Sequence, residues 1–130
     1  MQDNTILLVE DNADDEALAL RALRHSEYVK EVVVVRDGAE ALDYLFGSGQ
    51  YADRDTAMQP RLILLDMKLP KLNGLDVLRR IRQDERTRYH PVVLMTSSRQ
   101  ETDIIAGYSL GANSYVQKPV NSDEFVESIR

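Results

Sequence analysis

The chain has 130 residues, 22 acidic against 16 basic side chains, a formal net charge of −6 and no cysteine. This is the size of one domain with a real core, and the acidic balance argues against a nucleic-acid binder, which would show a basic face. Disulfides, thiolate nucleophiles and Cys-based zinc sites are excluded, and no stretch approaches the roughly 20 apolar residues of a membrane span.

Met1-Gln2-Asp3-Asn4 lacks the basic and apolar regions of a signal peptide, so the expected location is cytoplasmic, with no membrane partner. Thr5 to Val9 reads as a buried strand that runs into Glu10-Asp11-Asn12. A helix follows from about Asp14 to His25, with Asp14, Asp15 and Glu16 in the first turn, where negative charge favours the helix dipole. Leu18, Ala19, Ala22 and Leu23 form its apolar stripe. Leu20 falls outside that stripe, as a partner contact or as an ordinary exposed leucine.

Glu31 to Val35 supplies a second strand, and Asp37-Gly38 turns the chain into a helix from about Ala39 to Phe46. The stretch Gly47 to Pro60 is polar and unpatterned, longer than the usual connection of about 2–6 residues. It either extends the preceding helix or is a surface loop, and as a loop it is a tolerated or a partner-specific insertion.

Leu62-Ile63-Leu64-Leu65-Asp66 is the central stretch: four consecutive apolar residues between Pro60 and Pro70, ending in a carboxylate. Such a run fits a strand buried on both faces. A loop from Met67 to Gly74 leads into a helix with Leu75, Leu78 and Ile81 on one face, ending near Asp84. Arg79, Arg80 and Arg82 on this helix read as a solvated face. Pro91 to Met95 is a fourth buried strand followed at once by Thr96-Ser97-Ser98. Arg99 to Leu110 reads as a helix closed by Gly111. Ser114 to Gln117 is a short fifth strand, then Lys118-Pro119, then a last helix from Ser122 with Phe125, Val126 and Ile129. At Arg130 that helix is short enough to be truncated.

Five strands alternating with five helices, with right-handed crossovers, give an α/β fold with a doubly wound parallel sheet, formed by residues 1–130 as a single domain. In open α/β sheets, ligands bind at the carboxyl edge of the strands. Glu10, Asp11, Asp66, Thr96 and Lys118 all fall just after predicted strands, so folding gathers them at that edge. Asp66 taken alone is equally a turn-capping residue.

Three crowded carboxylates repel one another in a cleft, and a divalent cation with oxygen ligands is the natural remedy. Mg²⁺ fits best, because it takes a few carboxylates and keeps waters that phosphate can replace. The two histidines, His25 and His90, are off that edge, which disfavours zinc. Lys118 can pair with Asp66 and then with a phosphoryl oxygen, and the Thr96 hydroxyl can donate to another. This is a phosphoryl-transfer constellation with Asp66 as the expected nucleophile, forming an aspartyl phosphate.

Four blocks carry a resemblance: Ile6-Leu7-Leu8-Val9-Glu10-Asp11-Asn12; Leu62 to Pro70, continuing to Asn73-Gly74; Met95-Thr96-Ser97; and Gly111 to Gln117 running into Lys118-Pro119. Taken in this order, they resemble the receiver domains of two-component response regulators over nearly the whole chain. The resemblance implies a flavodoxin-like, CheY-like sheet in strand order 2-1-3-4-5, and a sensor histidine kinase that donates its phosphoryl group to Asp66. It implies Mg²⁺ on Asp11, Asp66 and the Lys68 backbone carbonyl, with Glu10 acting largely through water, and a cis peptide before Pro119. Thr96 and Tyr115 match the family's switch pair, although Tyr115 also reads as a simple edge-strand aromatic. Lys68 and Ser98 occupy positions that tune dephosphorylation. Such a domain catalyses only its own phosphoryl transfer and loss, and is not otherwise an enzyme.

In relatives, kinase docking uses the first helix and the loop after the fifth strand, here Leu20 and Pro119 to Asn121. Output or homodimer contacts use the fourth helix, fifth strand and fifth helix, here Ile104, Tyr108, Tyr115 and Val126. Glu10-Asp11 and the long insertion after the second helix resemble the single-domain regulators paired with phytochrome-type kinases. Three alternatives share parts of the pattern. A flavin binder needs a phosphate loop where Glu10 and Asp11 stand, and an Asp-nucleophile phosphatase needs an acid where Lys68 stands. A pseudo-receiver, folded but never phosphorylated and acting only as an interaction module, retains every pocket residue.

Overall fold

The computed structural model describes residues 5–24, 31–54, 59–69, 72–96, 109 and 111–117. Strands β1 (Thr5–Val9), β2 (Glu31–Val35), β3 (Leu62–Asp66), β4 (Val92–Thr96) and β5 (Ser114–Gln117) form one sheet in the order β2-β1-β3-β4-β5. Every pairing is parallel. The helices are α1 (Ala13–Arg24), α2 (Gly38–Phe46) and α3 (Gly74–Gln83). The expected order and class are those observed.

Alternation along the strands divides the core in two, because successive side chains in a strand point to opposite faces. Leu7, Val9, Ile63, Leu65 and Leu94 pack with Ala41, Leu42 and Leu45 of α2 and Val77, Leu78 and Ile81 of α3. Ile6, Leu8, Leu62, Leu64, Val93, Met95 and Val116 pack with Ala19, Ala22 and Leu23 of α1. β1, β3 and β4 are therefore buried on both sides, which accounts for their uninterrupted apolar runs. Truncating a central side chain such as Leu64 to Ala would cost about 2–5 kcal/mol.

The α1 stripe differs from expectation. Leu18 and Leu20 are both partly buried, and Leu20 packs against the cluster built on Ala19 and Leu23. Leu20 is thus at least partly a core residue. The β4 boundary shifts by one: the strand runs Val92–Thr96, so Thr96 is its last residue and not the first after it. Pro91 has no N–H, but its carbonyl accepts from Ile63 N at 3.0 Å.

The described residues after α2, 47–54, do not extend the helix; they form a largely exposed surface connection with one short turn. Gly47 ends α2 in the left-handed region at φ 66°, and Gly49–Tyr51 form a 3-10 turn. The chain then folds back onto α2: the Tyr51 hydroxyl donates to Glu40 Oε2 at 2.7 Å, and the Tyr51 ring meets Tyr44 edge-on at 5.2 Å. Arg54 stacks on Tyr44 at 4.1 Å and donates to the Tyr44 carbonyl at 2.7 Å. Glu40 also completes the cap of α2, since its backbone N–H donates to Asp37 Oδ1 at 2.7 Å while its carboxylate accepts from Arg36 N at 3.0 Å.

Arg79 and Arg80 are exposed on α3, as expected. Arg82 is not part of a solvated face: its guanidinium is bonded to backbone and side-chain oxygens of the segments flanking β4 and β5. Among the described residues, no helix is long and apolar enough to cross a membrane.

Candidate functional site

Strand register brings the acids together. Val9 pairs with Leu65 on one side and Val35 on the other, so Glu10 emerges level with Asp66 at the carboxyl edge. Asp66 pairs with Met95, and Thr96 with Gln117. Glu10, Asp66 and Thr96 are 0%, 4% and 2% exposed, whereas Asp11 is open to solvent. Glu10, Asp11 and Asp66 each present a carboxylate oxygen within 4.8 Å of the others. Like charges held this close repel, most strongly between buried Glu10 and Asp66 and less toward Asp11, which solvent screens.

Backbone donors hold these carboxylates in place. Glu10 Oε2 accepts from Asp11 N at 3.1 Å and Asn12 N at 3.4 Å. The Asn12 side chain then caps α1 by accepting from Asp15 N at 3.0 Å. Asp66 Oδ1 accepts from Lys68 N at 3.1 Å. The turn carrying Lys68 is itself pinned, with Met67 N donating to the Met95 carbonyl and Gly74 N to the Met67 carbonyl, both at 3.0 Å. Asn73 caps α3 through Asp76 N at 2.9 Å.

Gly74 is the site residue that motif reading undervalued. A β-carbon on it would stand 2.2 Å from the Asp66 carbonyl oxygen and 2.7 Å from Met67 Cα. Only glycine lets the start of α3 sit directly on the peptide that follows Asp66. The sequence signal was the Asn73-Gly74 pair, which reads as a turn followed by a helix.

The donor set suits a hard divalent cation: three carboxylates, one fully buried, with no cysteine in the chain. His90, the other class of zinc ligand, precedes β4 at the opposite edge of the sheet. Lys68 is exposed. Tyr115 is 40% exposed on the edge strand, paired with Leu94. Since Thr96 lies two residues beyond Leu94, Tyr115 and Thr96 share one face of the sheet. Lys118, Pro119, His25, Ser98, Ile104, Tyr108 and Val126 lie outside the described residues.

The family described as "Response regulator receiver domain" matches residues 6–130. Response regulator Rcp1 of Synechocystis sp. is 38% identical over 125 residues, spanning 96% of this chain and 83% of that protein. The crystal structure of the Mn(2+)-bound form of Rcp1 superposes with a TM-score of 0.81 over 95% of this chain and 88% of that one. The bacteriophytochrome response regulator RtBRR is 50% identical, with a TM-score of 0.89 over 96% of this chain and 75% of that one. The phosphorylated cyanobacterial phytochrome response regulator RcpA is 42% identical, with a TM-score of 0.82 over 95% and 86% of the two chains.

Proposed function

The chain belongs to the response regulator receiver domains of two-component systems, and from that premise we propose that it takes a phosphoryl group from a sensor histidine kinase onto Asp66. In that step the P–N bond of a phosphohistidine breaks and a P–O bond to an Asp66 carboxylate oxygen forms. The imidazole leaves with the electron pair. The observation that carries the reading is the convergence of Glu10, Asp11 and Asp66 within 4.8 Å.

Mg²⁺ is the proposed ion, held by Asp11, Asp66 and the Lys68 carbonyl, with Glu10 acting largely through water; when bound, it neutralises charge on the phosphoryl oxygens. The chain's own residues do the rest. The Lys68 N–H to Asp66 Oδ1 bond helps fix the carboxylate's rotamer at the end of β3. Thr96, at the end of β4, donates its hydroxyl to one phosphoryl oxygen, and Lys118 pairs with another. As Thr96 is drawn to the phosphoryl group, the Tyr115 ring turns inward from the edge strand and changes the face built with Ile104, Tyr108 and Val126. That face serves a homodimer or an output partner. The domain catalyses no reaction beyond its own phosphorylation and dephosphorylation and works in the cytoplasm.

A phytochrome-type kinase is the proposed donor, supported by the names of RtBRR and RcpA. The test is transfer from a phosphorylated kinase of that type. Label should leave the kinase and appear on this chain, and Asp66→Asn should accept none. A kinase that keeps its label beside this chain while passing it to another receiver would overturn the proposed partner.

A further inference from the structure

Arg82 uses all five of its N–H donors. Nε and Nη2 both donate to the Gly111 carbonyl, at 2.9 and 2.7 Å. Nη2 also reaches Asn113 Oδ1 at 3.0 Å, while Nη1 donates to the carbonyls of His90 at 2.7 Å and Arg88 at 3.0 Å. The fork therefore joins the end of α3, the segment leading into β4 and the segment leading into β5.

Asn113 extends this network into the sheet. Its side-chain oxygen also accepts from Val92 N at 2.9 Å, and its backbone N–H donates to the Val92 carbonyl at 2.9 Å. Asn113 thus starts the β4 to β5 ladder one residue before the strand itself. Gly111 permits the approach: it sits at φ 99°, and a β-carbon there would stand 2.9 Å from Arg82 Nε. β5 has four residues and a strand on one side only, so its ladder is short and its register weakly held without such an anchor.

We propose that Arg82 is a positioning residue for phosphoryl transfer: its clasp on Gly111 and Asn113 sets β5, and with it Tyr115 and the Lys118 that follows Gln117. The proposal rests on the function assigned above. Arg82 touches neither the acids nor the phosphoryl group and acts through β5. The proposed metal ligands follow β1, end β3 and lie in the turn after it, so losing the clasp separates two properties that general damage to the fold would lower together.

The test compares the parent with Arg82→Gln and Arg82→Lys, with exposed Arg80→Gln as the control on the same helix. Lys keeps the charge but loses the planar fork, so it should behave like Gln. Three quantities are read: hydrogen–deuterium exchange of the peptide covering β5, Mg²⁺ affinity, and the rate of phosphoryl uptake from acetyl phosphate. Both Arg82 variants should exchange faster at β5 but not at β1 or β3, and keep the parent's Mg²⁺ affinity. Uptake should slow by about ten- to a hundred-fold, the scale of an active group displaced by about 1 Å. Mg²⁺ affinity falling in step with uptake, or β5 exchange identical to the parent's, would overturn the proposal. If the parent takes up no phosphoryl group, the earlier reading fails by that result alone, and β5 exchange still decides whether Arg82 holds the strand.

Discussion

Gly74 sits against Asp66 so closely that a single added carbon would lie 2.2 Å from the Asp66 carbonyl oxygen. The first residue of α3 and the last of β3 are thus one packing unit, with the Lys68 turn enclosed between them. Gly74→Ala should force the backbone apart and destabilise the fold by about 1–3 kcal/mol, the usual cost of overpacking. Thermal denaturation measures this loss, and Mg²⁺ affinity should fall with it because the turn bearing Lys68 moves. An unchanged Tm would show that the helix can shift without cost.

Repulsion among the three acids gives Asp11→Asn effects of opposite sign with and without metal. In EDTA the variant should melt above the parent, since one charge has left the cluster. In saturating Mg²⁺ it should melt below, with affinity lower by about ten-fold, equivalent to about 1.4 kcal/mol. Melting curves in the two buffers check both signs. A parent that gains nothing from Mg²⁺ would contradict the metal assignment.

Burial, together with the hydrogen bond to the Glu40 carboxylate, raises the Tyr51 phenol to about 12. Its raised value means that the stability it contributes is fully present below about pH 10, the unfolded tyrosine value, and is lost as pH rises toward 12. Tyr51→Phe should flatten the alkaline limb of a stability profile. Removing the hydrogen bond should also cost about 0.5–1.5 kcal/mol at neutral pH. An identical alkaline limb in the variant would place the pH dependence elsewhere.

His90 behaves in the opposite sense. Burial first, and the nearby Arg82 charge second, lower its pKa below the ordinary 6.5, and among the described residues its Nε2 has no hydrogen-bond partner. The unfolded chain therefore binds the proton more readily, so stability is intact above about pH 6.5 and falls as pH drops below it. His90→Gln should weaken this acid dependence, as denaturant melts between pH 7 and 5 would show. Equal slopes in parent and variant would exclude His90 as its source.

Strand identity and the placement of the acids were legible because both are local signals. Apolar runs of strand length ending in Asp or Glu define Leu62–Asp66 and the edge it serves. What escaped was side-chain reach across sequence distance. Arg82 looked like one of three surface arginines, and nothing nearby in the sequence shows that its oxygen partners lie near residues 88–90 and 111–113. The residues after α2 lacked periodicity because they are held by single contacts to Glu40 and Tyr44, which leave no repeating pattern. Leu20's contact with the cluster built on Ala19 and Leu23 is likewise a matter of reach, since Leu18 and Leu20 are both partly buried.

Intact mass after incubation with acetyl phosphate tests the central claim most directly, run on the parent and on Asp66→Asn, each with Mg²⁺ or EDTA. The parent with Mg²⁺ should gain the mass of one phosphoryl group, and the other three samples none. No gain in the parent, or an equal gain in Asp66→Asn, would contradict the claim that Glu10 and Asp11 serve a phosphoacceptor at Asp66.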